Sequence, residues 1–146
     1  MEEELNMRVL ITGASSGIGR DMARILAKLN YNLILVARNE DGLTKIKNEL
    51  ETENNKINIT IYPMDLNIKE NCYKLYENEK NIDVLINNAG FGLFGEFAET
   101  DLEKEITMIN TNITAVQILT KLYLKDMIKK DKGNILNVAS IAGFMP

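Results

Sequence analysis

Apolar residues in this chain fall into two kinds of stretch, which take turns along its length. Short continuous runs alternate with stripes spaced for a helix. Val9-Leu10-Ile11 is a run without polar interruption, as in a strand covered on both faces. Met22, Ile25, Leu26 and Leu29 then fall at i, i+3, i+4 and i+7, the spacing of one helical face. A second run, Asn32 to Ala37, precedes a helix starting at about Glu40 with Leu43, Ile46 and Leu50 on one side. A polar connection over 51–56 leads to a third strand at 57–62. Asn67 is placed as an N-cap with Glu70 three residues on, and Ile68, Cys72, Leu75 and Tyr76 form the next buried stripe. The fourth strand is Asp83 to Ile86, followed by a loop over 91–99 rich in glycine and phenylalanine.

Thr100 and Glu103 have the spacing of a capping box, which predicts a long helix over about 101–131. Its apolar positions include Leu102, Ile106, Ile109, Ile113, Val116, Met127 and Ile128. Lys129, Lys130 and Lys132 lie near its negative end, and Gly133 stops it. A fifth strand, Asn134 to Val138, and Ala139-Ser-Ile-Ala-Gly143 follow. The order βαβαβαβαβ predicts an α/β fold, a doubly wound parallel sheet of five strands with helices on both faces.

The turn after the first run carries the most specific chemistry. Gly13 lets the chain leave the strand sharply, Gly17 lets backbone approach a pyrophosphate, and Gly19 lets the new helix pack tightly on the sheet. The helix start then offers N–H groups and a positive dipole end to an anion. The spacing is Gly-x-x-x-Gly-x-Gly, distinct from both Gly-x-Gly-x-x-Gly and the P-loop, which needs a following Gly-Lys-Ser/Thr. In such sheets the ligand lies at the carboxyl ends of the strands. Arg38 follows the second strand, where an NAD-binding protein usually has an acid. A guanidinium there suits the 2′-phosphate of NADP, with Ser15 and Ser16 as further donors, so NADP(H) is expected over NAD(H).

Composition narrows the chemistry. With 146 residues, 45% hydrophobic and 26% charged, the chain is sized for one domain. Its net charge of −4 argues against nucleic acid as a partner. No apolar run approaches the roughly 20 residues of a membrane span. The sequence has no histidine and only one cysteine, Cys72, which excludes histidine-based triads, an internal disulfide and the common zinc ligand sets. No metal site is expected, and Cys72 is read as a core filler. Residues 1–6 are expected to form a flexible acidic tail ahead of one nucleotide-binding domain over 7–146. They lack the basic and apolar regions of a signal peptide, so the expected location is the cytoplasm, and the glycosylation-like triplets at Asn58 and Asn112 are coincidental.

The string Thr12-Gly-Ala-Ser-Ser-Gly-Ile-Gly19 resembles the cofactor loop of the short-chain dehydrogenase/reductase family. Asn87-Asn-Ala-Gly90, after the fourth strand, resembles the family's second hallmark, and the likeness extends from about residue 7 to the end of the chain. The resemblance implies a cofactor site made of Gly13, Ser15, Ser16, Gly17, Ile18, Gly19, Arg38, Asp65, Leu66, Asn88, Ala89 and Gly90. Asp65 matches the family's acid at the adenine amino group, or else serves only the entry of the next helix. Asn112 matches the mid-helix asparagine whose local distortion holds a water of the proton relay. Ser140 matches the serine that hydrogen-bonds the substrate carbonyl, so Asn112 and Ser140 are the implied catalytic positions. The implied reaction is hydride transfer between a nicotinamide and a small carbonyl or alcohol substrate, in a homo-oligomeric full-length protein.

One departure limits this reading. The family's tyrosine acid/base and the lysine four residues later lie beyond its serine, and here only 141–146 follow Ser140. Tyr76 and Lys80 fit Tyr-x-x-x-Lys but belong to a helix whose end faces away from the cofactor side, so they are rejected and Tyr76 is assigned to the core. The chain is therefore expected to be an N-terminal portion of a reductase that binds cofactor without turnover, with its fifth strand left at an exposed sheet edge. The alternative is a non-catalytic NADP-binding or partner-binding module. Phe91, Phe94 and Phe97 either line the near wall of the substrate pocket or pack on the core.

Overall fold

The computed structural model describes residues 7–144, so the tail expected at 1–6 lies outside the described residues. The strands are β1 (Arg8–Thr12), β2 (Asn32–Ala37), β3 (Ile59–Pro63), β4 (Val84–Asn87) and β5 (Asn134–Asn137). The α-helices are α1 (Gly17–Lys28), α2 (Glu40–Glu53), α3 (Lys69–Asn78), α4 (Leu102–Ile109) and α5 (Ala115–Lys130). All five strands are parallel in the order β3-β2-β1-β4-β5, which makes the doubly wound α/β sheet that the pattern predicts. Its switch point lies between β1 and β4, where the chain direction across the sheet reverses.

Side chains of each strand alternate between two cores. Val9, Ile11, Leu33 and Leu35 face α1 and α2, whereas Leu10, Ile34, Val36 and Leu85 face α3 and α5. With both faces covered, no position in the middle of β1 or β2 is left for a polar residue. Cys72 is fully buried in the second core, as expected of a filler. Burial pushes its thiol up to about 11.

Several local expectations are corrected. The buried face of α1 is Gly19, Ala23 and Ala27, while Ile25 and Leu29 are exposed. Small residues let this helix lie close to the sheet; Met22 and Leu26 of the expected stripe still pack against the core from its flank, while Ile25 and Leu29 turn outward. In α3 the N-cap is Ile68 rather than Asn67, and it makes no side-chain cap. The backbone N–H of Asn67 instead donates to Oδ1 of Asp65 at 2.9 Å. Asp101, not Thr100, caps α4, accepting from the N–H groups of Glu103 (2.9 Å) and Lys104 (3.1 Å). The Thr100 hydroxyl, with its one hydrogen, donates to the Glu105 carboxylate and lies 3.2 Å from the Phe97 carbonyl.

The single long helix expected over 101–131 is divided into α4, a π-helical segment Asn110–Thr114, and α5. Its buried positions are Ala115, Leu119, Tyr123 and Met127. Of the apolar positions named for this helix, Leu102, Ile106, Ile109, Ile113 and Ile128 are exposed. Asp131, in the left-handed conformation, ends α5 two residues before Gly133. Among the described residues β5 pairs only with β4, and its Leu136 is exposed, in line with the expected open edge.

At the amino ends of the strands, Glu79 gathers four elements. It pairs with the Arg8 guanidinium, accepts the Tyr62 phenol at 2.7 Å, and its backbone carbonyl accepts from Tyr123 at 3.0 Å. Desolvation, with Glu79 alongside, pushes the Tyr62 phenol up to about 12.

Candidate functional site

The site begins where β1 ends. Gly13 turns with φ +69°, a left-handed conformation that admits glycine readily. A Cβ on Gly19 would lie 2.4 Å from the Gly13 carbonyl oxygen and 2.5 Å from Nδ2 of Asn88, so the helix start, the turn and the β4 end are in direct contact. Gly17, at φ +53°, faces open space. The Ala14 N–H donates to the Val36 carbonyl at 3.2 Å and ties the turn to β2.

No side chain caps α1, and its first turn contains no acid. By contrast α2, α3 and α4 each carry glutamate or aspartate in the first turn. The orphan N–H groups and the positive dipole end of α1 are therefore not offset by the chain itself.

A cavity of about 1400 Å³ opens at the carboxyl ends of the strands, larger than a drug-sized ligand requires. Its wall includes Gly13, Ser15, Ser16, Ile18, Arg38, Asp65, Leu66, Asn88, Ala89, Gly90, Asn112 and Ser140, residues drawn from the ends of all five strands and from the π segment. Gly17 and Gly19 are not among the lining residues; Gly19 is buried against the turn, and Gly17 is exposed at the helix start. The fit to a dinucleotide is chemical as well as spatial. Glycine backbone and an uncapped helix end suit a pyrophosphate, and the exposed Arg38 guanidinium at the end of β2 suits a further phosphate.

Asp65 is engaged locally. Besides accepting from Asn67, its carbonyl accepts from Nδ2 of Asn71 at 2.8 Å, which is the helix-entry chemistry weighed for it. Leu66 is buried against α3, with only its cavity side toward the ligand space. Asn88 holds the turn, its amide donating to the carbonyls of Thr12 (3.0 Å) and Gly13 (3.3 Å).

Asn112 sits in the π segment, a local helix distortion of the kind found at functional sites. Its side-chain amide is matched to the backbone N–H and C=O of a single residue, Phe91. Nδ2 donates to the Phe91 carbonyl at 2.8 Å and Oδ1 accepts the Phe91 N–H at 3.1 Å. Gly90 permits this approach, since a Cβ there would lie 3.0 Å from the same Oδ1. The Ser140 hydroxyl accepts from the Ala142 N–H at 3.1 Å, capping the short 3-10 turn Ile141–Phe144, and remains exposed to the cavity.

Thr12, Asn87 and Asn137 complete the site, though none is among the expected cofactor or catalytic residues. The Thr12 hydroxyl accepts the N–H groups of Asn88 (3.0 Å) and Ala89 (2.9 Å). The buried Asn87 amide donates to Thr120 (3.0 Å) and to Oδ1 of Asn137 (2.8 Å), joining β4 to α5 and β5. A hydroxyl directly before Gly13 and an asparagine in β5 were the available signals. Of the three phenylalanines, Phe91 lines the cavity, whereas Phe94 and Phe97 are exposed and pack on neither core.

Tyr76 and Lys80 lie at the opposite end of the sheet. The Arg8 guanidinium, at the start of β1, donates to the Lys80 carbonyl at 2.8 Å. The Tyr76 phenol donates to Asp126 at 2.7 Å, and that hydrogen bond raises its pKa, the wrong direction for a base.

A family model described as short chain dehydrogenase matches residues 7–146. The chain is 38% identical over 139 residues to ketoacyl reductase HetN of Nostoc sp., covering 92% of this chain and 48% of that protein. It is 38% identical over 143 residues to an NADP-dependent 3-hydroxy acid dehydrogenase of Schizosaccharomyces pombe, covering 92% and 54%. In structure it is similar to a short-chain dehydrogenase from Sphingobium yanoikuyae in complex with NADPH, with TM-score 0.90, 31% identity, and 96% of this chain and 56% of that one covered. The chain thus spans about half the length of the curated relatives it matches.

Proposed function

The chain belongs to the short-chain dehydrogenase family, and on that premise we propose that it is the cofactor-binding part of an NADP(H)-dependent oxidoreductase. One observation carries the reading. The uncapped N-terminus of α1 and the Arg38 guanidinium open into the same cavity at the sheet's switch point. The NADPH complex and the NADP-dependent relative support the choice of cofactor.

In this proposal Gly13, Ser15, Ser16, Gly17, Ile18 and Gly19 hold the pyrophosphate and Arg38 the 2′-phosphate. Asp65, Leu66, Asn88, Ala89 and Gly90 hold the adenosine side. When bound, the dinucleotide supplies or accepts a hydride at a carbonyl or alcohol carbon. Asn112 orients the relay through its hold on the Phe91 backbone, and Ser140 donates its hydroxyl hydrogen to the substrate oxygen. The 146 residues contain no Tyr-x-x-x-Lys pair after Ser140, so they are proposed to bind cofactor without turnover. Residues 7–146 are read as one nucleotide-binding unit of a cytoplasmic protein. In the full-length protein, the exposed face formed by Leu102, Ile106, Ile109, Ile113 and Ile128 is read as the surface of a homo-oligomer.

The test is titration of the purified chain with NADPH and NADH by cofactor fluorescence. NADPH is expected to bind more tightly, and Arg38→Asp to reverse the order. An unchanged order in Arg38→Asp removes the phosphate assignment, and no binding of either dinucleotide removes the cofactor reading. Oxidation of NADPH with a small ketone by the chain alone would overturn the expected lack of turnover.

A further inference from the structure

The Arg38 guanidinium carbon lies 6.0 Å from the centroid of the Phe91 ring, and both residues line the cavity. Arg38 is exposed, and among the described residues no carboxylate pairs with it. A long side chain in that situation samples many rotamers and loses that freedom when it takes hold of a ligand. The face of an aromatic ring attracts a guanidinium and narrows the range beforehand.

The backbone that carries the ring is held. The backbone N–H and C=O of Phe91 are both bound by the Asn112 side chain, at 3.1 Å and 2.8 Å. Asn112 is carried by the π segment between α4 and α5. A line of contacts therefore runs from the middle of the long helix, through Phe91, to the guanidinium at the end of β2.

We propose that Phe91 is a positioning residue for Arg38, holding its guanidinium at the β2 end of the cavity and so setting the discrimination between a 2′-phosphorylated dinucleotide and a plain one. The inference rests on the reading of Arg38 as the phosphate ligand. It adds a second residue to the specificity of that site and ties it to the Asn112 clamp.

The experiment measures dissociation constants of NADPH and NADH for the chain and for Phe91→Leu, Phe91→Tyr, Arg38→Leu and the Arg38→Leu/Phe91→Leu double variant. Phe91→Leu is expected to weaken NADPH about two- to fivefold, the ratio an exposed cation–π contact is worth, with NADH unchanged. Phe91→Tyr keeps a ring face and is expected to keep the ratio. In the Arg38→Leu background, Phe91→Leu is expected to have no further effect on the ratio. Equal weakening of both dinucleotides, tighter NADPH binding, or the same loss without Arg38 would each overturn the proposal. The two readings fail differently. If Arg38→Leu leaves the ratio unchanged, the phosphate assignment falls and the inference with it. If Arg38→Leu lowers the ratio and Phe91→Leu does not, only the positioning role is rejected.

Discussion

Asn88 donates to Thr12 twice, once from its backbone and once from its side chain. The Asn88 backbone N–H donates to the Thr12 hydroxyl at 3.0 Å, and the Asn88 side-chain amide donates to the Thr12 carbonyl at 3.0 Å. This pair of hydrogen bonds closes the seam between β1 and β4 at the floor of the cavity. The Ala89 N–H shares the same hydroxyl at 2.9 Å.

Replacing that hydroxyl therefore strands two N–H groups. Thr12→Val is expected to destabilise the chain by about 2–4 kcal/mol, whereas Thr12→Ser, which keeps the acceptor, costs about 1 kcal/mol. Urea denaturation distinguishes them. Equal midpoints for the two variants would show that the shared hydroxyl does not hold the seam.

Gly19 is required by space. Gly19→Ala places a Cβ 2.4 Å from the Gly13 carbonyl oxygen, a backbone atom with little room to yield. A loss of about 2–3 kcal/mol, roughly 5–10 °C in Tm, is expected. Gly92→Ala is the control, because a Cβ there meets nothing within 4 Å. Similar thermal shifts for both would count against tight contact at the turn.

The Asn112 clamp is open to hydrogen exchange. In Asn112→Ala the Phe91 N–H loses its acceptor, and its exchange is expected to quicken about tenfold. Gly90→Ala, which crowds Oδ1 of Asn112 at 3.0 Å, is expected to act in the same direction. Unaltered protection of Phe91 in both variants rules the clamp out.

Cys72 and Tyr62 set the alkaline limit. Burial pushes the thiol up to about 11. Burial and the bond to Glu79 push the phenol up to about 12. Both groups hold their protons more tightly folded than unfolded, so the stability they carry is whole below about pH 9 and is lost as pH rises through about 11 and then 12. At pH 8 a thiol reagent such as DTNB should label Cys72 only after denaturation, because the native side chain is fully buried. Rapid labelling of the native chain would place Cys72 outside the core.

Much of the fold was legible because it rests on short-range patterns. The runs at Val9–Ile11 and Asn32–Ala37 are continuous because both sheet faces are covered, and that alone implies a parallel sheet. The glycine turn was legible because φ above zero and a close backbone approach at Gly13 and Gly19 leave few other residues possible. Arg38 was found by counting to the residue after a strand.

What the tertiary structure decided depends on which neighbour reaches a residue first. The spacing of Ile25 and Leu29 fits a helical face, but Gly19, Ala23 and Ala27 allow closer packing and take the buried side. Thr100 and Glu103 have the spacing of a capping box, yet the Asp101 carboxylate lies nearer the free N–H groups and caps instead. The resemblance implied a helix distortion at Asn112, but not the partner of its amide, because Phe91 lies 21 residues away. The sequence by itself determined the element order, the parallel sheet and the phosphate-shaped turn, since each follows from side-chain period or backbone freedom within a few residues. Tertiary structure alone decided the Thr12–Asn88 seam, the Asn112–Phe91 clamp and the placing of Arg38 over Phe91, because hydrogen bonds and ring contacts between distant segments exist only once the sheet has brought those segments together.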